Sequence, residues 1–349
     1  MSGNVITHSK PWITTVDVEA VEKTLHSGMI AYGAKVSEFE FEVGKFLGIG
    51  AGVATKSGTS ALALALLTLG IDLEDEVVLP TYVCKEVLDS VRSIGAVPII
   101  CDTNEFGVLT PDTIRPYMGK NTKAIIAVHI FGYPCDIESL QVFGVPIIED
   151  ACQSFGLMVR GKMAGTLGEI GVLSFHATKC LTTGEGGMLV SSDEQLLRRA
   201  RSISDKQTNM KQLFHAPLTD MQAALGLSQL SRYPEFLIKR RTIAARYDQV
   251  IGVNSSTVLQ PKVNAQLFRY TFRSSIPYMS LQKYFGTSGI EIRRGVDALL
   301  HRFEGLPEIR FAQATQLFQE NISIPFYPAL TDDEVARICS SLEGMTNVS

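Results

Sequence analysis

The sequence predicts an α/β protein with a large domain, built on a mostly parallel sheet covered by helices on both faces, and a smaller α/β domain toward the C-terminus. Three observations lead there. From Gly52 to Ser191, short apolar runs alternate with helical stretches, the pattern of strands joined by crossover helices. From about Asn254 that alternation is lost, which divides the chain into 1–253 and 254–349, with the first residues packing with the smaller domain. A length of 349 residues suffices for two cores of this kind.

The totals narrow the function. Hydrophobic residues make up 45% and charged residues 19%, as in an ordinary globular protein. The net charge of −4 comes from 32 basic and 36 acidic residues in mixed order, so nucleic acid is not an expected partner. The longest apolar runs, such as Ala61 to Leu69, fall short of the roughly 20 residues that span a bilayer, and no signal core opens the chain. The expectation is a cytoplasmic protein without membrane contact. Six cysteines without C-x-x-C spacing read as reduced thiols, with no metal site.

In chain order, an extended start around Ile6 to Trp12 leads to a helix in which Thr15, Val16 and Asp17 offer caps and Val18, Val21 and Leu25 recur at helical spacing. A second helix spans Val36 to Leu47. Val53-Ala54-Thr55 then runs into Ser57-Gly58-Thr59-Ser60 and an apolar helix through Leu69. A glycine turn with hydroxyls at a helix start suits a phosphate, because free N–H groups and the helix dipole favour an anion. Serine and threonine are equally the commonest N-caps. Further strands are expected at Val77 to Leu79, Val97 to Cys101, Lys123 to Val128, Val145 to Ile148, Ile170 to Phe175 and Met188 to Ser191. Asp205 to Pro217 reads as irregular. A helix starts at Thr219-Asp220, and Pro234 marks a break before the next, which runs to about Ile251. Beyond it a strand is expected within Phe268 to Ile276, a helix at Leu281 to Phe285, a strand at Ile322 to Ile324 and a closing helix at Asp332 to Leu342.

Ligands of such sheets sit at the carboxyl ends of the strands. Ser57, Tyr82, Asp150 and Lys179 each follow a predicted strand, so one cleft can hold all four. An acid and an amine delivered together are what pyridoxal 5'-phosphate requires. Its aldehyde needs a lysine to bond, and its ring nitrogen needs a carboxylate that keeps it protonated.

The motifs then identify a family. The stretches S-G-M-I-A-Y-G, S-G-T-S-A-L, D-E-V-V-L-P-T-Y, A-V-H-I-F-G-Y-P-C-D, I-I-E-D-A-C-Q-S, S-F-H-A-T-K, T-G-E-G-G, T-D-M-Q-A-A-L-G and I-P-F-Y-P-A-L-T-D-D-E-V resemble, in order, those of the DegT-family sugar aminotransferases. The resemblance covers nearly the whole chain and implies the type I fold of pyridoxal-phosphate transferases. It further implies a homodimer with active sites between subunits, an amino-acid donor such as glutamate, and a nucleotide-linked keto sugar as acceptor.

Carried over by position, Lys179 resembles the lysine that bonds the cofactor and moves the proton, and Asp150 the acid at the ring nitrogen. Gln153 would sit against the ring hydroxyl. Gly58, Thr59 and Ser174 would hold the phosphate. The chain also departs from the family. Cys84 stands where many members have an aromatic residue over the ring, so either Tyr82 covers the ring or the thiol packs on it. His215-Ala216-Pro217 replaces an Asn-x-Arg stretch whose asparagine reaches the neighbouring subunit's phosphate; His215 retains a donor there, but proline has no such group. The resemblance leaves other readings within the fold, a cyclitol aminotransferase or another pyridoxal-phosphate enzyme. Sugar dehydratases of this kind replace the lysine by histidine, so Lys179 argues against that one. A non-catalytic cofactor-binding sensor or partner protein would rest on Cys84 and His215-Ala216-Pro217 alone.

Overall fold

The computed structural model describes residues 5–205, 215–253 and 268–345. Seven strands form the large sheet. They are β1 (Gly52–Thr55), β2 (Glu76–Pro80), β3 (Val97–Cys101), β4 (Thr122–Val128) and β5 (Ile147–Asp150), then, beyond a small ribbon of β6 (Met158–Val159) and β7 (Lys162–Met163), β8 (Ile170–Ser174) and β9 (Gly187–Val190). Their order in space is β1-β9-β8-β5-β4-β2-β3. β3, β2, β4, β5 and β8 run parallel, whereas β9 lies antiparallel to both β8 and β1.

Both faces are covered, and the strand period assigns residues to each. Along β8 and β9, Val172 and Leu189 join the core that contains the helix Gly58–Leu69, while Leu173, Met188 and Val190 join another built with Phe39, Val43 and Phe236. The helix Gly58–Leu69 is apolar nearly all round because it is enclosed by protein. Its first turn is thereby fixed at the ends of β8 and β9.

A second, three-stranded antiparallel sheet contains β10 (Tyr270–Arg273), β11 (Arg293–Arg294) and β12 (Asn321–Ile324), in the order β10-β12-β11. The helices Tyr278–Thr287 and Asp332–Gly344 close its core through Phe285, Ile338 and Leu342. Ile6 bridges to Ile290, and His8 Nε2 lies 2.8 Å from Ser323 Oγ.

Several sequence expectations shift. The first helix spans Thr15–Ser27, with Thr14 outside it as N-cap, its N–H donating to Asp17 at 2.8 Å. Of the apolar series Val18, Val21 and Leu25, Val18 and Leu25 are exposed and Val21 is only half-buried. Asp17 is buried instead, since it pairs with Arg232 at 2.8 Å and accepts from Ser228 at 2.7 Å. Pro234 does not lie ahead of its helix but within the first turn of Tyr233–Val253, where a missing N–H costs nothing. The strand expected within Phe268 to Ile276 begins only at Tyr270, which leaves Phe268 and Arg269 in an irregular stretch beside the cleft. The junction at 253/254 and most of the 205–217 loop lie outside the described residues.

Candidate functional site

The site is assembled at the carboxyl ends of the parallel strands. At β1 the chain turns through Ser57, whose hydroxyl accepts Ser60 N–H at 3.1 Å and caps the helix Gly58–Leu69. Gly58 is required by its neighbours. A Cβ there would stand 3.0 Å from Ser174 Cβ and 3.2 Å from Cys152 Sγ. Gly187 on β9 has the same origin, since a Cβ would fall 2.6 Å from Gly58 N and 2.4 Å from Ser57 O. The helix N-terminus and the Ser174 hydroxyl thus face one small space, with Thr59 half-buried beside it.

Asp150 ends β5 and is buried, its Oδ1 accepting Cys152 N–H at 3.0 Å. Lys179 lies in the loop after β8, where its N–H donates to His176 O at 2.8 Å and its Nζ stands 4.7 Å from the Phe268 ring centre. Two thiols report the proximity of these charges. Burial pushes Cys84 up to about 12 although it lies exposed at the cleft wall, with Lys179 drawing it down and Asp150 raising it. Cys152 is raised well above its ordinary value by burial, again under the fields of Asp150 and Lys179. Lys179 and Asp150 therefore lie close enough to act on the same two thiols.

The other candidates have different surroundings. Tyr82 is buried, edge-on to Phe131, and its hydroxyl accepts from Asn321 Nδ2 at 3.1 Å. It presents no open face to the cleft, whereas Cys84 does. Gln153 Oε1 accepts Phe131 N–H at 2.9 Å. That bond holds Phe131 in a left-handed conformation of φ 54°, a strained one for a bulky residue. His215 is exposed, on a segment tied beside the phosphate-type turn by Lys56 N–H donating to Ala216 O at 2.8 Å.

The sequence reasoning did not single out the buried pair behind the site. His129 Nδ1 accepts Cys135 N–H at 2.9 Å, so Nε2 carries the proton donated to Glu149 Oε1 at 2.6 Å. Glu149 also accepts from the N–H groups of Gly165, Leu167 and Gly168. Burial pushes its carboxyl up, but these bonds outweigh burial and hold it below the ordinary value. An acid inside the apolar strand I-I-E-D was the available signal. This clamp pins the ends of β4 and β5, where Asp150 O accepts His129 N–H at 3.1 Å. Glu149→Ala is expected to destabilise the fold by about 3–5 kcal/mol, because it strands several buried donors; thermal or urea unfolding checks this. With a depressed folded value, Glu149 contributes its stability above the unfolded carboxylate range and loses it as pH falls through the folded one.

The arrangement fits pyridoxal phosphate: helix N–H groups for an anion with the Ser174 hydroxyl packed beside them, a buried acid and a half-exposed amine. Similar proteins point the same way. The chain is 30% identical to GDP-perosamine synthase of Escherichia coli O157:H7 across 95% of this chain and 96% of that one. It is 29% identical to the spore coat polysaccharide biosynthesis protein SpsC of Bacillus subtilis across 94% of each. The aminotransferase TlmJ of Streptoalloteichus hindustanus superposes with a TM-score of 0.91, at 28% identity and 99% coverage of both chains. Because residues 11–343 match the DegT/DnrJ/EryC1/StrS aminotransferase family, with both sheets, Asp150 and Lys179 inside that span, the chain belongs to this family of pyridoxal-phosphate-dependent sugar aminotransferases.

Proposed function

We propose that this aminotransferase moves an amino group from an amino acid, L-glutamate in the first instance, to a nucleotide-linked keto-deoxysugar, yielding an amino sugar for a surface polysaccharide or secondary metabolite. The observation that carries the reading is that Lys179 and Asp150 act on the same two thiols, Cys84 and Cys152, the latter packed beside the helix start at Gly58. The acceptor class is supported by the relative named as a GDP-perosamine synthase.

When bound, pyridoxal phosphate supplies an aldehyde and an electron-withdrawing ring. Lys179 is the amine that would hold that aldehyde and would carry the proton at the substrate's α-carbon. Asp150 holds the ring proton, and its burial beside a fixed N–H keeps its orientation. Gly58, Thr59 and Ser174 receive the phosphate. Gln153 faces the ring hydroxyl while supporting Phe131. Of the two candidates for the ring face, Cys84 is the exposed one, whereas Tyr82 is buried. His215 stands for the missing asparagine and donates toward phosphate.

The enzyme acts in the cytoplasm, and no described helix is long and apolar enough to cross a membrane. It works as a homodimer, a reading favoured by the exposed Val16, Val18, Leu25, Met29 and Ile30 near the N-terminus. Residues 1–253 and 254–349 form its two domains.

The test is the visible spectrum of the purified protein with added pyridoxal phosphate. A yellow band bleached by L-glutamate and restored by a keto acid is expected. A band indifferent to every amino acid tried would favour the non-catalytic binding protein, which Cys84 and His215-Ala216-Pro217 otherwise suggest.

A further inference from the structure

Arg269 is a cation without a counter-charge. Its Nη1 donates to the carbonyls of Gly295 at 2.7 Å and Arg294 at 3.3 Å, and its buried Nε has no hydrogen-bond partner among the described residues. It forms no ion pair with them either, and the segments outside them contain no aspartate or glutamate. Burial draws the guanidinium below its ordinary value, with Asp297 acting against that only through its field. A desolvated charge left so is costly unless something completes it.

The surroundings indicate what completes it. The cleft between the N-terminal segment and the Lys179 loop is lined by Lys10, Lys179, Arg240 and Arg269, and by no described acid. His8 in the same wall is pushed down to about 3 by burial and then by the nearby Arg269 and Arg293, so it is neutral near pH 7. Arg269 Cζ lies 5.5 Å from the Phe268 ring centre and 5.7 Å from that of Phe131, while Lys179 Nζ lies 4.7 Å from the same Phe268 ring. One phenyl ring thus has both the Lys179 amine and the unpaired guanidinium within about 6 Å of its centre.

We propose that Arg269 receives a carboxylate of the amino-acid donor and so selects an amino dicarboxylate such as glutamate. The inference rests on the aminotransferase reading above. A guanidinium flanked by two phenyl rings offers its edge, and that planar fork matches a carboxylate.

Glutarate, a dicarboxylate with no amine to react, is the probe. Trp12, the sole tryptophan, lines the same cleft and reports binding by its fluorescence, with the cofactor present or absent. Saturable quenching or enhancement is expected in the wild type. Arg269→Gln is expected to weaken glutarate by about 10- to 100-fold, with Arg269→Lys in between and neither variant melting earlier than the wild type. Equal glutarate affinity in the wild type and Arg269→Gln would overturn the proposal. So would an Arg269-dependent response to GDP without one to glutarate, which would give the site to a nucleotide diphosphate. Should Arg269→Gln fail to fold, Arg269→Lys decides, since unchanged affinity and melting there would remove the need for the fork. The cofactor spectrum of the same samples separates the two readings. Arg269-dependent glutarate binding without a yellow band defeats the aminotransferase reading, whereas a glutamate-bleached band with Arg269-independent glutarate defeats only this one.

Discussion

Lys179→Ala is expected to abolish amino transfer, lowering the rate by about 10⁴-fold or more, because the substitution removes both the group that bonds the cofactor and the proton carrier. The fold should survive it. Lys179 is half-exposed, lies in a loop and forms no ion pair among the described residues; its main side-chain contact is with the Phe268 ring, worth about 1 kcal/mol. Single-turnover assays with L-glutamate and a thermal melt of the same sample check both halves. Normal turnover by a folded Lys179→Ala protein would refute the role given to this residue.

Asp150→Asn is the second large effect. The amide is nearly isosteric, and its oxygen still accepts the Cys152 N–H at the position where Oδ1 does so at 3.0 Å, so the melting temperature should change little. A neutral amide has no charge to hold a proton on the ring nitrogen, however, and the rate should fall at least about 100-fold. The cofactor should remain bound, since the turn before Gly58–Leu69 and Ser174 are untouched. Equilibrium dialysis of the cofactor beside steady-state rates distinguishes this outcome from simple loss of cofactor. Unchanged kinetics would count against Asp150.

Much of this protein is local, and the sequence carried that part. The strand Val97–Cys101 matches its apolar run residue for residue, and β2, β4, β5, β8 and β9 lie within two residues of theirs, because strands of a sheet covered on both faces are short apolar runs between turns. The positions of Asp150 and Lys179 at strand ends followed from the same runs. Motifs at those ends were enough to recognise the family.

Only the tertiary structure decided what surrounds each side chain. Tyr82 and Cys84 are two residues apart, yet one is sealed under Phe131 and Asn321 while the other faces the cleft. Val18, Val21 and Leu25 have helical spacing, yet Val18 and Leu25 remain outside and Val21 is half-buried, while Asp17 on the same helix turns inward to Arg232 and Ser228. The His129–Glu149 clamp joins the end of β4 to β5, and Arg269 reaches the cleft from the irregular stretch just before β10. The reason is physical. Periodicity and turn chemistry act within a few residues of chain, whereas burial, counter-charge and hydrogen-bond partners depend on which distant strands become neighbours, here in the order β1-β9-β8-β5-β4-β2-β3.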